Sequence, residues 1–143
     1  MRRNKFATAI SWCLVAVCMA VIFCLSAQNG EESQELSETV AMLLRLGLSV
    51  DFIRSCAHCL EFMGLSVLVF NALYWSFGKT RPFFAFLITA AYAASDEIHQ
   101  LFVEGRACQL TDFLVDSFGA IIGIAALTVF AKIISRINRR RLG

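Results

Sequence analysis

Residues 6–25 read FATAISWCLVAVCMAVIFCL, an apolar run that only Thr8 and Ser11 interrupt. About 20 residues at roughly 1.5 Å of helical rise each reach about 30 Å, the thickness of a bilayer's hydrocarbon core. Arg2, Arg3 and Lys5 before it give the segment the outline of a secretory signal. Its apolar body is longer than a usual signal core, so it is expected to stay as a membrane-spanning helix.

The rest of the chain agrees with a lipid solvent. Hydrophobic residues make up 58% of the 143 and charged residues 17%, with a mean hydropathy of +0.67, too apolar for an ordinary soluble domain. One proline and eight glycines, without repeats or low-complexity tracts, leave no long linker, so residues 1–143 read as a single domain. Residues 113–134 are nearly as apolar as the first run, with Asp116 as the one acidic intrusion. The uninterrupted stretches at 62–75 and 82–95 are only about 14 residues each, too short to cross unless they extend through charged neighbours. The predicted fold is an all-α integral membrane bundle of four transmembrane helices, at about 6–26, 53–75, 82–103 and 112–134.

Charge sets the expected orientation. Arg2, Arg3 and Lys5, then Lys79 and Arg81, then Lys132, Arg136, Arg139, Arg140 and Arg141 fall in three segments that the positive-inside rule assigns to the cytoplasm. Both termini are then cytoplasmic in a cell-membrane protein, and the basic ends suit anionic lipid headgroups. Nucleic acid is set aside as a partner, because these arginines flank apolar spans and no basic and aromatic residues interleave on a soluble surface. The first outer loop carries Glu31, Glu32, Glu35 and Glu38. Behind Asn29 as N-cap, Leu36, Val40, Leu43, Leu44 and Gly47 follow at helical spacing, which predicts a short amphipathic helix on the outer interface. It would cover the bundle; a sharper role is a lid over the polar groups beneath it.

Those polar groups gather in the outer halves of the spans. Arg54, His58 and Glu61 are spaced as one helical stripe, Asp96, His99 and Gln100 as another, and Asp112 and Asp116 continue the pattern. Gly119 and Gly123 run on from Asp116 and permit close approach to a neighbouring helix. A charge facing lipid near the bilayer centre costs on the order of 3 kcal/mol, so these side chains should face one another or water. One reading is that Arg54 and Arg106 neutralise Glu61, Asp96, Asp112 or Asp116 merely to hold the helices in register. So many ionisable groups in one small bundle exceed what register requires, which favours a functional site. His58 with Glu61, and Asp96 with His99, would suit zinc or another divalent metal, or general acid–base work, although neither is the His-Glu-x-x-His pair of zinc hydrolases. No cofactor is singled out. Cys13, Cys18 and Cys24 pack as small apolar residues within the first span, while a disulfide among Cys56, Cys59 and Cys108 is topologically possible.

The run at 93–106, AASDEIHQLFVEGR, followed by Asp112, Asp116 and Gly119, resembles the signature of the VanZ-like membrane protein family. So do Ser26-Ala27-Gln28, which looks like that family's Ser-x-Gln element, and Arg54, His58, Glu61 and Phe62, which are similar to its second-span motif. The likeness covers about four fifths of the chain, with one departure: Glu104 stands where the family often has proline. It implies a bacterial cell-membrane protein whose named relative is associated with low-level resistance to teicoplanin, a glycopeptide acting outside the membrane on cell-wall precursors. The cluster is accordingly expected to bind or modify an extracytoplasmic envelope ligand, lipid-linked or related to the glycopeptide. Arg54 and Arg106 would pair an anionic group. Ser26, Gln28, His58, Glu61, Gln100, Asp112 and Asp116 are the further ligand-binding candidates, and Asp96, Glu97 and His99 the catalytic ones. The alternatives are a membrane-embedded hydrolase or transferase and a non-catalytic scaffold; for the enzyme the sequence names no nucleophile. A transporter or channel would need charge across the whole bilayer, and the inner halves of the spans are nearly free of it.

Overall fold

The architecture comes from a computed structural model describing residues 4–43 and 49–141. It is all-helical: α1 Lys5–Ser26, α2 Gly30–Leu43, α3 Val50–Phe77, α4 Pro82–Gln100 and α5 Leu110–Arg141, with no strand among the described residues. Three of these, α1, α3 and α5, are long and apolar enough to cross a membrane. The 19 residues of α4 begin as apolar as the others, but their last turns carry Asp96, Glu97, His99 and Gln100.

Local chemistry marks each boundary. The Asn4 side chain accepts from the Ala7 amide at 3.2 Å to cap α1, and Asn29 accepts from the Glu32 amide at 2.8 Å to start α2. Ser49 caps α3, which ends at Gly78 in the left-handed region, φ 69°, where a side chain would be strained. Pro82 then sits at the start of α4, where its missing N–H costs nothing. The turn between them is held by the Arg81 guanidinium lying over the Phe77 ring at 4.2 Å. Val103, expected within the third span, falls beyond α4 in the loop, because the chain turns at residues 101–105.

Phe62, Leu65, Val69 and Ala72 of α3 are fully enclosed and form the core with Val15 and Ile22 of α1, Ala85 and Ala93 of α4, and Ile124 of α5. Packing between apolar helices gains little from lipid, so close fit and hydrogen bonds carry it. Gly119 and Gly123 provide the fit. A Cβ at Gly119 would collide with the Cys59 carbonyl, and one at Gly123 with the Ser66 hydroxyl and the Met63 carbonyl. Between α1 and the others the Tyr92 hydroxyl donates to the Met19 carbonyl at 2.6 Å, the Trp12 indole to Ser76 Oγ at 3.0 Å, and the Thr8 hydroxyl to the Trp75 carbonyl at 3.1 Å.

These ties make the long helices alternate in direction. One end of the bundle carries Lys5, Lys79, Arg81, Lys132, Arg136, Arg139 and Arg140, and the other carries Ser26, Arg54, His58, Asp96, Asp112 and Asp116. Arg2, Arg3, Leu44 and Gly47, which entered the expectations above, lie outside the described residues. Phe6, Phe83, Phe118 and Phe130 stay largely exposed on the flanks. That much outward apolar surface belongs to a membrane protein in contact with lipid.

Candidate functional site

At the polar end, the last turn of α1, α2 and the first turns of α3 enclose a cavity of about 90 Å³. Ser26, Gln28, Ser33, Ser37, Arg54, His58, Glu61 and Arg106 line it. A second cavity of about 210 Å³ opens beside it, bordered by Arg54, Gln100, Arg106, Gln109 and Asp112. The two arginines belong to both. Together they hold room for several waters or a small anionic group.

Arg106 reaches this place because Gly105 takes φ 73° and turns the loop back onto the α1–α2 junction. There the Arg106 Nε donates to the Gln28 carbonyl at 3.2 Å, and the Gly30 amide donates to the Glu104 carbonyl at 3.0 Å. The approach leaves no space for a side chain at residue 30, whose Cβ would lie 2.6 Å from the Gly105 oxygen. Glu104 is therefore part of the clasp through its backbone. Burial, and after it the Arg54 guanidinium, lowers Arg106 from its ordinary value, while Asp96, Asp112 and Glu61 pull the other way. Two guanidinium groups around one space favour an anion between them.

Beneath the cavity lie buried carboxylates. Asp96 is 2% exposed; its Oδ2 accepts from Ser26 Oγ at 2.8 Å and from Gln100 Nε2 at 3.2 Å, and its Oδ1 has no partner. Asp116 is fully buried, 3.7 Å from His58 Nδ1, and neither of its oxygens has a hydrogen bond. His58 Nδ1 is also 4.0 Å from Glu61. Glu97 faces the second loop, where its Oε2 accepts from the Gln109 amide at 2.8 Å and its Oε1 is left over. Buried polar atoms without protein partners are expensive, and their concentration at this end makes it the candidate site.

Three expectations change. Arg54 pairs with Asp51, one turn earlier, at 3.4 Å. Among the described residues no arginine lies within 4.0 Å of Glu61, Asp96, Asp112 or Asp116, so register by arginine–carboxylate pairing is not how the bundle is held. His99 leaves the cluster and stacks on Phe23 of α1 at 4.3 Å between ring centroids. The same rotation separates the Asp96 and His99 pair proposed as metal ligands, and no three His, Cys, Asp or Glu side chains converge as a metal set would among the described residues. All six cysteines are free.

Ser33 and Ser37 were not anticipated. Among the described residues of α2 they are the buried ones, while Leu36, expected on the inward face, is half exposed at the edge of the same cavity. Their spacing of four, with Val40 three further on, is a helical stripe legible in the sequence.

The sequence profile of the VanZ/LLP1 family matches residues 11–131, which takes in all of these groups. The chain belongs to the VanZ/LLP1 family. No curated protein and no solved structure matches it significantly. In this VanZ-family chain Ser26, Arg54, His58, Asp96 and Arg106 thus fall at one end of one bundle, with His99 turned aside.

Proposed function

We propose that this chain crosses the bacterial cell membrane four times with both termini in the cytoplasm, and that its polar end is an outward-facing receptor for the anionic headgroup of a lipid-linked envelope ligand. The 19 residues of α4 span about 28 Å at helical rise, which supports α4 as a further crossing. The basic residues at the opposite end support the orientation. The amphipathic α2 would then lie over the bundle at the outer interface.

The observation that carries the binding reading is the pair Arg54 and Arg106 shared by both cavities, with Arg106 lacking a carboxylate partner among the described residues. A diphosphate would satisfy both guanidinium groups through charge-assisted bonds. Holding a lipid-linked wall precursor on the outer face would connect such a protein to glycopeptides of the teicoplanin type, whose targets carry the same headgroup chemistry.

The test is titration of polyprenyl diphosphate into the purified full chain in nanodiscs. Saturable binding is expected, weakened at least about tenfold in Arg106→Ala, the loss of one charged hydrogen-bonding partner. Unchanged binding in an Arg54→Ala, Arg106→Ala double variant overturns the reading. The orientation is tested by placing a single cysteine at residue 79 in a cysteine-free background; labelling of intact cells by an impermeant maleimide would invert it.

A further inference from the structure

We infer that Ser26 is a nucleophile, with Asp96 as its general base, for hydrolysis of a lipid-linked diphosphate. The inference rests on the reading that the cavity receives such a headgroup, and adds that it is cleaved there.

Thr8 also reaches across helices, but to the Trp75 carbonyl, and Ser117 has no protein partner; six other hydroxyls of the bundle show why Ser26 is different. Ser11, Ser37, Ser66, Ser76, Thr89 and Thr128 each return the hydroxyl to a carbonyl of their own helix at 2.8–2.9 Å. This is the usual way a helix accommodates them. Ser26 gives its proton instead to the carboxylate of another helix at 2.8 Å, the distance of a nucleophile from its base. The Gln100 amide holds the same carboxylate oxygen from the following turn and so orients the base. A tie that served only to join α1 to α4 would not require the serine to border a cavity. Ser26 does border it, with Arg54 and Arg106 on the same walls. Ser26 and the two arginines share the cavity wall, and Asp96 and Gln100 are hydrogen-bonded behind the serine, so nucleophile, base, orienting group and cationic clamp are neighbours, the set of roles an active site has to fill.

The clamp also chooses the chemistry. Two guanidinium groups match the equatorial oxygens of a phosphoryl group in flight, where positioning and charge stabilisation supply most of the catalysis. Ser26 Oγ bonds to the terminal phosphorus as its proton passes to Asp96 Oδ2. The bond from that phosphorus to the bridging oxygen breaks, and the lipid monophosphate departs with the electron pair and takes the proton from Asp96. Water then attacks the phosphoserine, Asp96 accepts its proton, the bond between phosphorus and Oγ breaks, and Ser26 recovers the proton. One water is consumed; lipid monophosphate and inorganic phosphate are released.

The experiment measures phosphate release from polyprenyl diphosphate by the full chain in nanodiscs, alongside binding, and maps phosphoserine after acid quenching with substrate labelled in the terminal phosphate. The wild type is expected to release phosphate and to carry label at Ser26. Release should fall at least about 100-fold in Ser26→Ala and in Asp96→Asn, the scale of a lost nucleophile or base. Binding by the wild type without phosphate release, label on another residue, or turnover in Ser26→Ala close to wild type overturns the inference and leaves the receptor reading standing. Failure of the wild type to bind removes both. Because the label is mapped on the wild type, the outcome does not depend on whether the alanine variant folds.

Discussion

Asp116 of α5 lies 3.7 Å from the His58 Nδ1 of α3, with both of its carboxylate oxygens buried and without a hydrogen bond. A buried carboxyl group without a protein hydrogen-bond partner is costly to the bundle. Asp116→Asn supplies an amide N–H that His58 can accept. The variant is expected to be more stable by about 1–2 kcal/mol, the scale of one buried hydrogen bond gained. Thermal unfolding in detergent or bicelles checks this. Ligand binding is not expected to improve in parallel.

The contact of α3 with α5 depends on Gly119. Gly119→Ala places a methyl group against the Cys59 carbonyl and should cost about 1–3 kcal/mol, as overpacking does. Gly64→Ala, on α3 with nothing within 4 Å of the added carbon, should be neutral or mildly stabilising through better helix propensity. Paired unfolding curves decide it, and equal losses in both would contradict the packing described.

The clasp between the α1–α2 junction and the loop after α4 depends on Gly105. Gly105→Ala forces a side chain into φ 73°, which costs about 1 kcal/mol or more. Arg106 should then lose its hold on the Gln28 carbonyl, so hydrogen exchange at residues 101–109 rises and diphosphate binding weakens while the helical content stays the same.

Ser33 and Ser37 set the size of the cavity from above. Ser37→Leu fills part of its about 90 Å³ with apolar atoms on a helix that has no other reason to unfold. Binding of polyprenyl diphosphate is expected to drop at least about tenfold, equivalent to 1.4 kcal/mol, and the far-ultraviolet dichroism to be unchanged.

His99 offers the opposite contrast. Its ring stacks on Phe23 instead of lining either cavity. His99→Phe should retain the stack, worth about 0.5–1.5 kcal/mol, and leave both stability and diphosphate binding close to wild type. A large loss of binding with the fold intact would return His99 to the site.

Much of this was legible because lipid is an unforgiving solvent. The apolar run at 6–25 could only be a helix, and α1 occupies Lys5–Ser26. Asn29 could be recognised as a cap because its short side chain reaches a free amide three residues on, which it does in the fold. Arg54 and His58 share a face at a spacing of four, and both reach the same cavity. Asp96 and Gln100 share another, and they are bonded to each other.

The failures come from one source. His99, three residues after Asp96, is rotated about 60° from it around the helix, and whether that direction meets the cavity or α1 depends on where Phe23 stands. On α2 the serines are buried and Leu36 stays half exposed at the edge of the cavity, because the surface below is the polar end of the bundle and not its apolar core. Hydrophobicity and helical period determined that this chain is helical, that it belongs to a membrane, and that its ionisable groups collect toward one end, since those follow from each segment's own transfer to lipid. Which hydroxyl meets which carboxylate, as Ser26 meets Asp96 from 70 positions away, was decided only when the helices packed, because a hydrogen bond depends on the relative rotation and depth of two helices, which neither encodes alone.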